Sequence, residues 1–282
     1  MTIILLAVAI AVLALGLLVA FATLMQVARQ NGRMLLRVDL LEQAIENGTF
    51  IRSHPWLSLR EDCNDREILY EVVGANCYRL PAAFSEADVV IDIGTHVGIF
   101  AMAVLDLGCS EVHCFEPEPL NIEQALGHLA PYGQRARLTE AAVWRSDRDE
   151  PVVYFQPSTN PRNLGGGDVI HASGREVQAL RFDDVLLSAS QGGRKRIRYV
   201  KLDCEGSEYP ILLTSKLLHL VDEVAGEYHT VPDEVTSAWN LGQDCTPQTL
   251  RSGLAAVGFD VEWAPSATDS NAAGMFYARR RA

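Results

Sequence analysis

After residue 88 the chain alternates short apolar runs with stretches of helical pattern. The run at residues 89–93 places Val and Ile around Asp92, as expected of a strand that is buried on both faces. A turn containing Gly94 and Gly98 follows, and residues 97–107 are apolar enough for a helix that packs on a sheet. Residues 112–115 form a second apolar run, which ends at Glu116. The pattern predicts a strand, a tight turn, a helix and a strand that ends in a carboxylate.

The same alternation continues to the end of the chain. It predicts helices over residues 120–130, 182–187 and 247–257, and strands over residues 137–142, 152–155, 177–180, 198–202 and 221–227. Residues 259–263 and 275–279 predict a closing antiparallel hairpin. Residues 158–169 are too rich in glycine and polar residues for a regular element, so we expect a functional loop there. The alternation indicates an α/β fold with a doubly wound, mostly parallel seven-stranded sheet.

The first 25 residues predict a transmembrane helix. Residues 2–25 carry no charged side chain and are long enough to span a bilayer. The alternative is a cleaved signal peptide, with residues 20–22 as the cleavage site. Arg29, Arg33 and Arg37 follow the apolar segment, and the positive-inside rule then places the remainder of the chain in the cytoplasm. We therefore expect a single-pass membrane protein with a cytoplasmic catalytic domain.

Between this anchor and the apolar runs lie two further segments. Residues 26–48 predict a juxtamembrane helix, and residues 27–45 follow a heptad spacing that would suit a short parallel coiled coil and a homodimer. An amphipathic helix that packs on its own domain is the alternative. Residues 49–88 predict a lead-in segment that includes a helix near residues 67–73. Residues 89–282 form the predicted catalytic domain.

Charge and cysteine usage exclude some classes of protein. The formal net charge is −12, and without a basic stripe a nucleic-acid partner is not expected. None of the six cysteines forms a CxxC pair. This usage indicates a reducing compartment and argues against a disulfide framework or a structural zinc site.

The glycine turn limits the kind of cofactor. Gly94 and Gly98 form a G-x-x-x-G spacing, which lacks the third glycine of dinucleotide-binding proteins, and the chain has no P-loop. A carboxylate at the end of the next strand suits the ribose of a nucleoside without phosphates, and S-adenosylmethionine is such a cofactor. The residues predicted to bind it are Asp92, Gly94, His96, Gly98, Glu116, Pro117, Glu140, Ala142 and Asp203.

A second group of acids follows the later strands. Asp203 and Glu205 come after the strand at residues 198–202, and Glu227 and His229 come at the end of the strand at residues 221–227. Glu208 is interpreted as an acid that favours the start of a helix. All four of Asp203, Glu205, Glu227 and His229 are candidate catalytic residues, with His229 and then Asp203 as the preferred base. The same four residues offer an alternative, less favoured site for a divalent metal.

Several motifs together resemble the FkbM family of S-adenosylmethionine-dependent methyltransferases. They are VVIDIGTHVGIF, FEPEPLN, NLGGG, VKLDCEGSEYPIL and GEYH, and the resemblance covers residues 79–279. It implies a class I, Rossmann-like methyltransferase fold and methylation of a hydroxyl group on a glycan, lipid or small metabolite. The resemblance places Asp92, Gly94, Gly98 and Glu116 in the cofactor motifs, and Asp203, Glu205 and Gly206 in the motif after the fourth strand.

His96 departs from the family pattern, since asparagine is common at its position. The expected function is therefore O-methylation at a membrane, with a small-molecule, lipid or glycan acceptor. Two alternatives stay open: a catalytically inactive, membrane-tethered scaffold of the same fold, and a nucleotide-dependent oxidoreductase, against which the missing third glycine argues.

Overall fold

The computed structural model describes residues 48–160, 162–265 and 273–281. Contacts divide the chain into two units, residues 1–54 and residues 55–282. In the first unit the described part is a single short helix, α1 (Thr49–Ser53). The anchor predicted for residues 1–25 and the juxtamembrane helix predicted up to residue 48 lie outside the described residues, apart from Gly48. None of the helices that the structure describes is both long and apolar enough to cross a membrane.

A seven-stranded sheet forms the centre of the second unit. Neighbouring strands are parallel, except that the last strand of the chain runs antiparallel to both of its neighbours. This confirms the predicted doubly wound sheet and its closing hairpin. Across the sheet the order is β3 (Ala136–Glu140), β2 (Glu111–Glu116), β1 (Val89–Ile93), β7 (Ile197–Leu202), β8 (Val221–His229), β10 (Ala273–Arg280) and β9 (Phe259–Pro265).

A smaller, three-stranded sheet has the order β4 (Ala142–Trp144), β6 (Arg175–Arg181) and β5 (Val152–Phe155). The sequence predicts one strand over residues 137–142, but the structure divides this region after Glu140. β3 lies half exposed at the edge of the main sheet, whereas all three residues of β4 are buried. The apolar residues therefore leave the exposed edge and pair with β6, which removes them from water.

The helices lie close to their predicted positions. The helix that begins at Ile99 is buried as far as Leu105, which explains why its sequence is apolar on every face. The sequence pattern did not indicate the helix over Asp233–Trp239, whose residues are mainly polar. The helices are α2 (Asp65–Leu69), which continues as a π-helix (Tyr70–Gly74), α3 (Ile99–Asp106), α4 (Pro119–Leu129), α5 (Phe182–Ala189), α6 (Glu208–Thr214), α7 (Asp233–Trp239) and α8 (Pro247–Ala256).

One hydrophobic core joins the main sheet to the smaller sheet and to α5, α6 and α8. Every residue of β1 is buried, and Val200 and Leu202 of β7 are fully buried beside it. Interiors packed in this way resist displacement, so the ends of these strands are rigid supports for the side chains that follow them.

Candidate functional site

A cavity of about 250 Å³ lies at the carboxyl ends of β1, β2, β7 and β8. β2 and β3 lie to one side of β1, and β7 and β8 lie to the other, so the strand order reverses at this point. Ligands of doubly wound proteins bind at such reversals because the loops that follow the strands diverge there. The lead-in segment, predicted over residues 49–88, contributes Asn64, Ile68, Glu71, Val72 and Tyr78 to one side of the cavity.

The turn after β1 is held tightly against β2 and β7. The N–H groups of Gly94 and Thr95 donate to the carbonyl oxygen of Phe115 at 3.0 and 3.1 Å. Gly94 has a φ of +75°, and a Cβ added there would lie 1.8 Å from the carbonyl oxygen of Asp203. Glycine is required at this position both by the left-handed backbone and by the close approach of the next strand.

Glu116 stands at the end of β2 and lines the cavity. Its side chain is only 5% exposed, and it accepts hydrogen bonds from the N–H of His96 at 2.8 Å and from the N–H of Glu118 at 2.9 Å. Burial raises the pKa of Glu116 to about 7, although these two N–H groups oppose the shift. A carboxylate so placed can accept hydrogen bonds from the hydroxyl groups of a ribose.

His96 presents a hydrogen-bond donor in the same cavity. Arg60 Nη2 lies 3.2 Å from His96 Nε2, and because a guanidinium has no acceptor, Nε2 must accept. Burial lowers the pKa of His96 to about 4, so the neutral ring carries its proton on Nδ1. This Nδ1 is buried and has no hydrogen-bond partner among the described residues. A bound ligand would therefore find an unused N–H donor here.

A buried lysine connects the two halves of the site. Lys201 Nζ lies 3.3 Å from Asp92 Oδ1 and 4.0 Å from Asp203 Oδ2, and it donates to the carbonyl oxygen of Gly94 at 2.5 Å. Burial lowers the pKa of Lys201, but the two carboxylates outweigh this effect and raise it overall. Burial raises the pKa of Asp203, but Lys201, His229 and the hydroxyl of Tyr78, which donates at 2.8 Å, lower it overall. Asp203 is therefore a stable anion.

The loop after β7 is organised by a carboxylate that the sequence pattern indicated only as a helix-start acid. Glu208 is fully buried and accepts hydrogen bonds from the N–H of Cys204 at 3.0 Å and from the N–H of Gly206 at 2.9 Å. One of its oxygens also lies 3.3 Å from His229 Nδ1. Glu208 thus fixes both the loop that carries Asp203 and Glu205 and the orientation of His229.

His229 differs from the neutral base that the sequence suggests. Its Nε2 lies 3.3 Å from Glu205 Oε2, so both ring nitrogens face carboxylates. Burial lowers the pKa of His229, but Glu208, Glu205 and Asp203 raise it to about 10. The residue is an imidazolium at neutral pH and does not belong to the lining of the cavity. Its ring cannot accept a proton in this state.

Several carboxylates that line the cavity have pKa values that suit a group that accepts a proton. Burial raises the pKa of Glu227 to about 8, and the charge of Asp203 adds to the shift. Burial likewise raises the pKa of Glu205 and of Glu71 to about 7. Ligand atoms of Asp203, Glu205 and His229 lie within 4.8 Å of one another, whereas Glu227, the fourth residue of the predicted metal site, is not part of this group.

Two segments meet over the glycine turn. Asn64 Nδ2 donates to Asn163 Oδ1 at 3.0 Å, and the N–H of Asn64 donates to the carbonyl oxygen of Arg162 at 2.9 Å. Asn121 Nδ2 donates to the carbonyl oxygen of Leu164 at 3.0 Å. The predicted functional loop therefore covers the cavity together with the lead-in segment, and Asn163 lines the cavity as Asn64 does.

The predicted cofactor residues fall into two groups. Gly94, His96, Glu116, Pro117, Ala142 and Asp203 line the cavity. The other three do not. Asp92 is fully buried beside Lys201, and Gly98 faces the side chain of Leu129. Glu140 is exposed at the end of β3, so the apolar residues after it, and not its own carboxylate, reach the cavity.

Sequence reasoning did not identify Lys201, Tyr78, Glu71 or the bridging role of Glu208. A signal existed for Lys201, because a single lysine inside an apolar buried strand needs an anionic partner. Tyr78 and Glu71 lie far from the site in the sequence, in a segment without a distinctive motif. Only the fold brings them to Asp203.

Residues 92–245 match the methyltransferase FkbM domain. The chain belongs to the FkbM methyltransferase family. The match contains the glycine turn, Glu116, the loop of Asn163, and the carboxylates that follow β7 and end β8. The family region therefore includes most of the cavity lining, apart from the residues that the lead-in segment contributes.

The solved structures to which the chain is similar include the methyltransferase FkbM from Methylobacillus flagellatus, at 13% identity and a TM-score of 0.42, with 84% of this chain and 60% of that chain covered. An rRNA methylase from Streptococcus thermophilus shows 9% identity and a TM-score of 0.42, with 75% and 96% covered. TrmK of M. capricolum, in complex with S-adenosyl-homocysteine, shows 11% identity and a TM-score of 0.42, with 73% and 67% covered. No curated protein matches the sequence.

The cavity of this FkbM protein fits S-adenosylmethionine. Among the described residues, Lys201 is the only lysine or arginine that lines it, and its charge is engaged by Asp92 and Asp203, so the described lining offers no free cation for a phosphate. Glu116 would hold the ribose, the unused Nδ1–H of His96 would meet an acceptor of the cofactor, and the acidic lining suits a sulfonium cation. The apolar wall available to an adenine consists of Phe115, Ala141, Ala142 and Val143.

Proposed function

We propose that this FkbM protein transfers the methyl group of S-adenosylmethionine to a hydroxyl oxygen of a glycan, lipid or small metabolite. One observation carries the proposal: the ribose-type carboxylate of Glu116 and the titratable carboxylates of Glu205 and Glu227 line the same cavity. The carboxylate of Glu116 suits a nucleoside, and the carboxylates of Glu205 and Glu227 suit an acceptor that must lose a proton. A cavity with Glu116 alone, without these titratable carboxylates, would suit a nucleoside-binding protein equally well.

In the proposed reaction the protein forms no covalent bond with either reactant and acts mainly by positioning them. Bound S-adenosylmethionine supplies an electrophilic methyl group on a sulfonium, and the side chains of the cavity position the acceptor oxygen in line with it. Glu227 is the preferred base because it lines the cavity and has a pKa of about 8, close to the working pH. Asp203 is a weaker base because Lys201 and Tyr78 stabilise its anion. The imidazolium of His229 holds Glu205 in place.

The charge of the cavity restricts the acceptor. Glu71, Asp203, Glu205 and Glu227 line it, with Lys201 as the balancing cation. A phosphorylated or carboxylated acceptor would meet like charges, which supports a neutral or cationic one. Amino-nitrogen methyltransferases usually carry an N/D-P-P-Y/F turn after the fourth strand, and Asp203-Cys204-Glu205-Gly206 stands here instead. This favours oxygen over an amide or adenine nitrogen.

The membrane assignment belongs to the proposal as well. Residues 2–25 would anchor the protein with its catalytic unit on the cytoplasmic side, and residues 27–45 would join two copies. Carbonate extraction and protease protection of the full-length protein test the anchor. Release into the soluble fraction would exclude it.

The test of function begins with binding and ends with transfer. Calorimetry with S-adenosylmethionine should show one site, and radiolabelled methyl groups should pass to lipid or glycan extracts. The Glu227→Gln variant should retain cofactor affinity and lose about 100-fold or more in kcat. Absence of any heat of binding would leave the inactive scaffold as the explanation. Full activity in the Glu227→Gln variant would remove Glu227 as the base.

A further inference from the structure

We propose that Asp203, Glu205 and His229 form a site for a divalent metal ion at the wall of the cavity, which Asp203 and Glu205 line. Ligand atoms of the three residues lie within 4.8 Å of one another. Among them, His229 Nε2 and Glu205 Oε2 are 3.3 Å apart. Neighbouring ligands of an octahedral ion with bonds of about 2.1 Å lie about 3.0 Å apart, so a small movement completes the site.

The environment of His229 supports this site independently of the ligand atoms. Its other ring nitrogen, Nδ1, faces Glu208 at 3.3 Å. Glu208 is not one of the ligands: it is fully buried, and backbone N–H groups hold both of its oxygens. A histidine that binds a metal almost always donates its second N–H to a carboxylate, a backbone carbonyl or a water molecule, and Glu208 provides such a carboxylate. Nε2 faces Glu205, and its proton would leave when the metal binds, which would free the Nε2 lone pair for the ion.

A second observation comes from Ser207, between the two loop ligands and Glu208. Ser207 lines the same cavity and is fully buried, yet its Oγ has no hydrogen-bond partner among the described residues. A buried hydroxyl without a partner costs free energy unless something binds it. Water molecules that complete the coordination of an ion, or an acceptor oxygen, would provide that partner.

The charge distribution points the same way. Besides Glu116, four carboxylates line the cavity, those of Glu71, Asp203, Glu205 and Glu227, and Lys201 shares its charge between Asp203 and the buried Asp92. A divalent cation would balance this excess. Two carboxylates with one imidazole suit Mn²⁺, Fe²⁺ or Zn²⁺ better than Ca²⁺, which prefers oxygen ligands alone.

The catalytic consequence rests on the proposed function. Three protein ligands leave other coordination positions of the ion open. An acceptor with two neighbouring oxygens, such as a vicinal diol of a sugar, can chelate the ion at these positions. The ion would increase the acidity of the chelated hydroxyl. The proton of this hydroxyl passes to the carboxylate of Glu227. A bond then forms between the acceptor oxygen and the methyl carbon, and the bond between that carbon and sulfur breaks. The products are the methyl ether, S-adenosylhomocysteine and one proton.

Calorimetry of the full-length protein, after treatment with a chelator, tests the site with MnCl2 alone. We expect one saturable site in the wild type and binding at least tenfold weaker in the Glu205→Gln variant. The Glu140→Gln variant, which alters an exposed glutamate at the end of β3, should match the wild type. Electron spin-echo spectroscopy of bound Mn²⁺ should detect a nitrogen ligand, and this signal should disappear in the His229→Asn variant.

No saturable binding by the wild type, or equal affinity in the Glu205→Gln variant, would overturn the metal site. Binding of S-adenosylhomocysteine, measured on the same preparation, separates this failure from a failure of the proposed function. If the homocysteine product binds and Mn²⁺ does not, only the metal proposal falls. If Mn²⁺ binds and the product does not, the methyltransferase proposal falls and the metal site stands. Methyl transfer at an unchanged rate in excess chelator would overturn the catalytic role of the ion.

Discussion

Gly94 touches the main chain of Asp203 so closely that a Cβ at Gly94 would lie 1.8 Å from the Asp203 carbonyl oxygen. The N–H of Asp203 also donates to the carbonyl oxygen of Ile93 at 3.1 Å. The turn that serves the cofactor and the loop that carries the acids are therefore one rigid body. A change on either side moves both.

The Gly94→Ala variant tests this contact. We expect it to lose more than about 3 kcal/mol of the free energy of unfolding, since a left-handed backbone and a clash with main-chain atoms act together. The matched control is Gly192→Ala: its φ is +72°, similar to the +75° of Gly94, but nothing lies within 4 Å of an added Cβ. Chemical denaturation should show a loss of about 1 kcal/mol for the control. Equal losses in the two variants would mean that the contact with Asp203 is unimportant.

The pKa of Glu116 predicts that ligand affinity depends on pH. Burial raises this pKa from 4.5 to about 7, and ribose hydroxyls donate to the ionised form. Affinity for S-adenosylhomocysteine should therefore rise by about tenfold between pH 6 and pH 8, with proton release on binding. Calorimetry in buffers of different ionisation enthalpy measures both quantities. The Glu116→Gln variant should bind more weakly and show no such rise.

The same pKa has an opposite effect on the stability of the unliganded protein. Because the folded-state pKa lies above the unfolded value, Glu116 contributes stability that is fully present below pH 4.5 and is lost as the pH rises through 7. The free energy of unfolding of the wild type should fall relative to Glu116→Gln over this window. A difference that stays constant with pH would contradict the assignment.

Lys201 balances the buried Asp92 and the partly buried Asp203, and its removal should be costly. The Lys201→Met variant removes the cation that these two carboxylates share, and we expect a loss of about 3–5 kcal/mol at pH 7, mainly from Asp92. The loss should diminish at lower pH because a protonated Asp92 needs no partner. Lys216→Met, at an exposed lysine, is the control and should change stability by less than about 0.5 kcal/mol. Denaturation curves at pH 5 and pH 7 measure the effect.

The contact between Asn64 and Asn163 predicts slow release of the cofactor. Asn163→Ala removes the acceptor for Asn64 Nδ2 and for the N–H of Gly166, so the cover over the cavity loosens. Stopped-flow measurements should show S-adenosylhomocysteine dissociating about five- to tenfold faster, which corresponds to about 1–1.4 kcal/mol. Asn160→Ala alters the same loop at an exposed position whose side chain accepts from the N–H of Arg162. An equal acceleration in that control would show that any loosening of the loop suffices.

Much of the fold follows from local patterns. The run at residues 89–93 is apolar apart from Asp92, and only a strand covered on both faces buries it. The turn at Gly94 and the acid at Glu116 lie within one strand, helix and strand, so their joint role is visible in the sequence. The region of residues 137–144 is different: its hydrophobicity predicts a strand, but not that the strand divides between two sheets.

The chemistry of the acids depends on distant contacts. Tyr78 reaches Asp203 across 125 positions of the chain, and Asn64 reaches Asn163 across 99. From the sequence, His229 is expected to be a neutral base. It is an imidazolium in the structure because the fold places Glu205 and Glu208 beside its two ring nitrogens.

Local hydrophobic pattern thus specifies the strands, the glycine turn and the acid at Glu116, because neighbours along the chain decide these features. Which carboxylate can accept a proton, and which is held as an anion, depends on burial and on partners contributed by other elements, and only the packed structure contains that information.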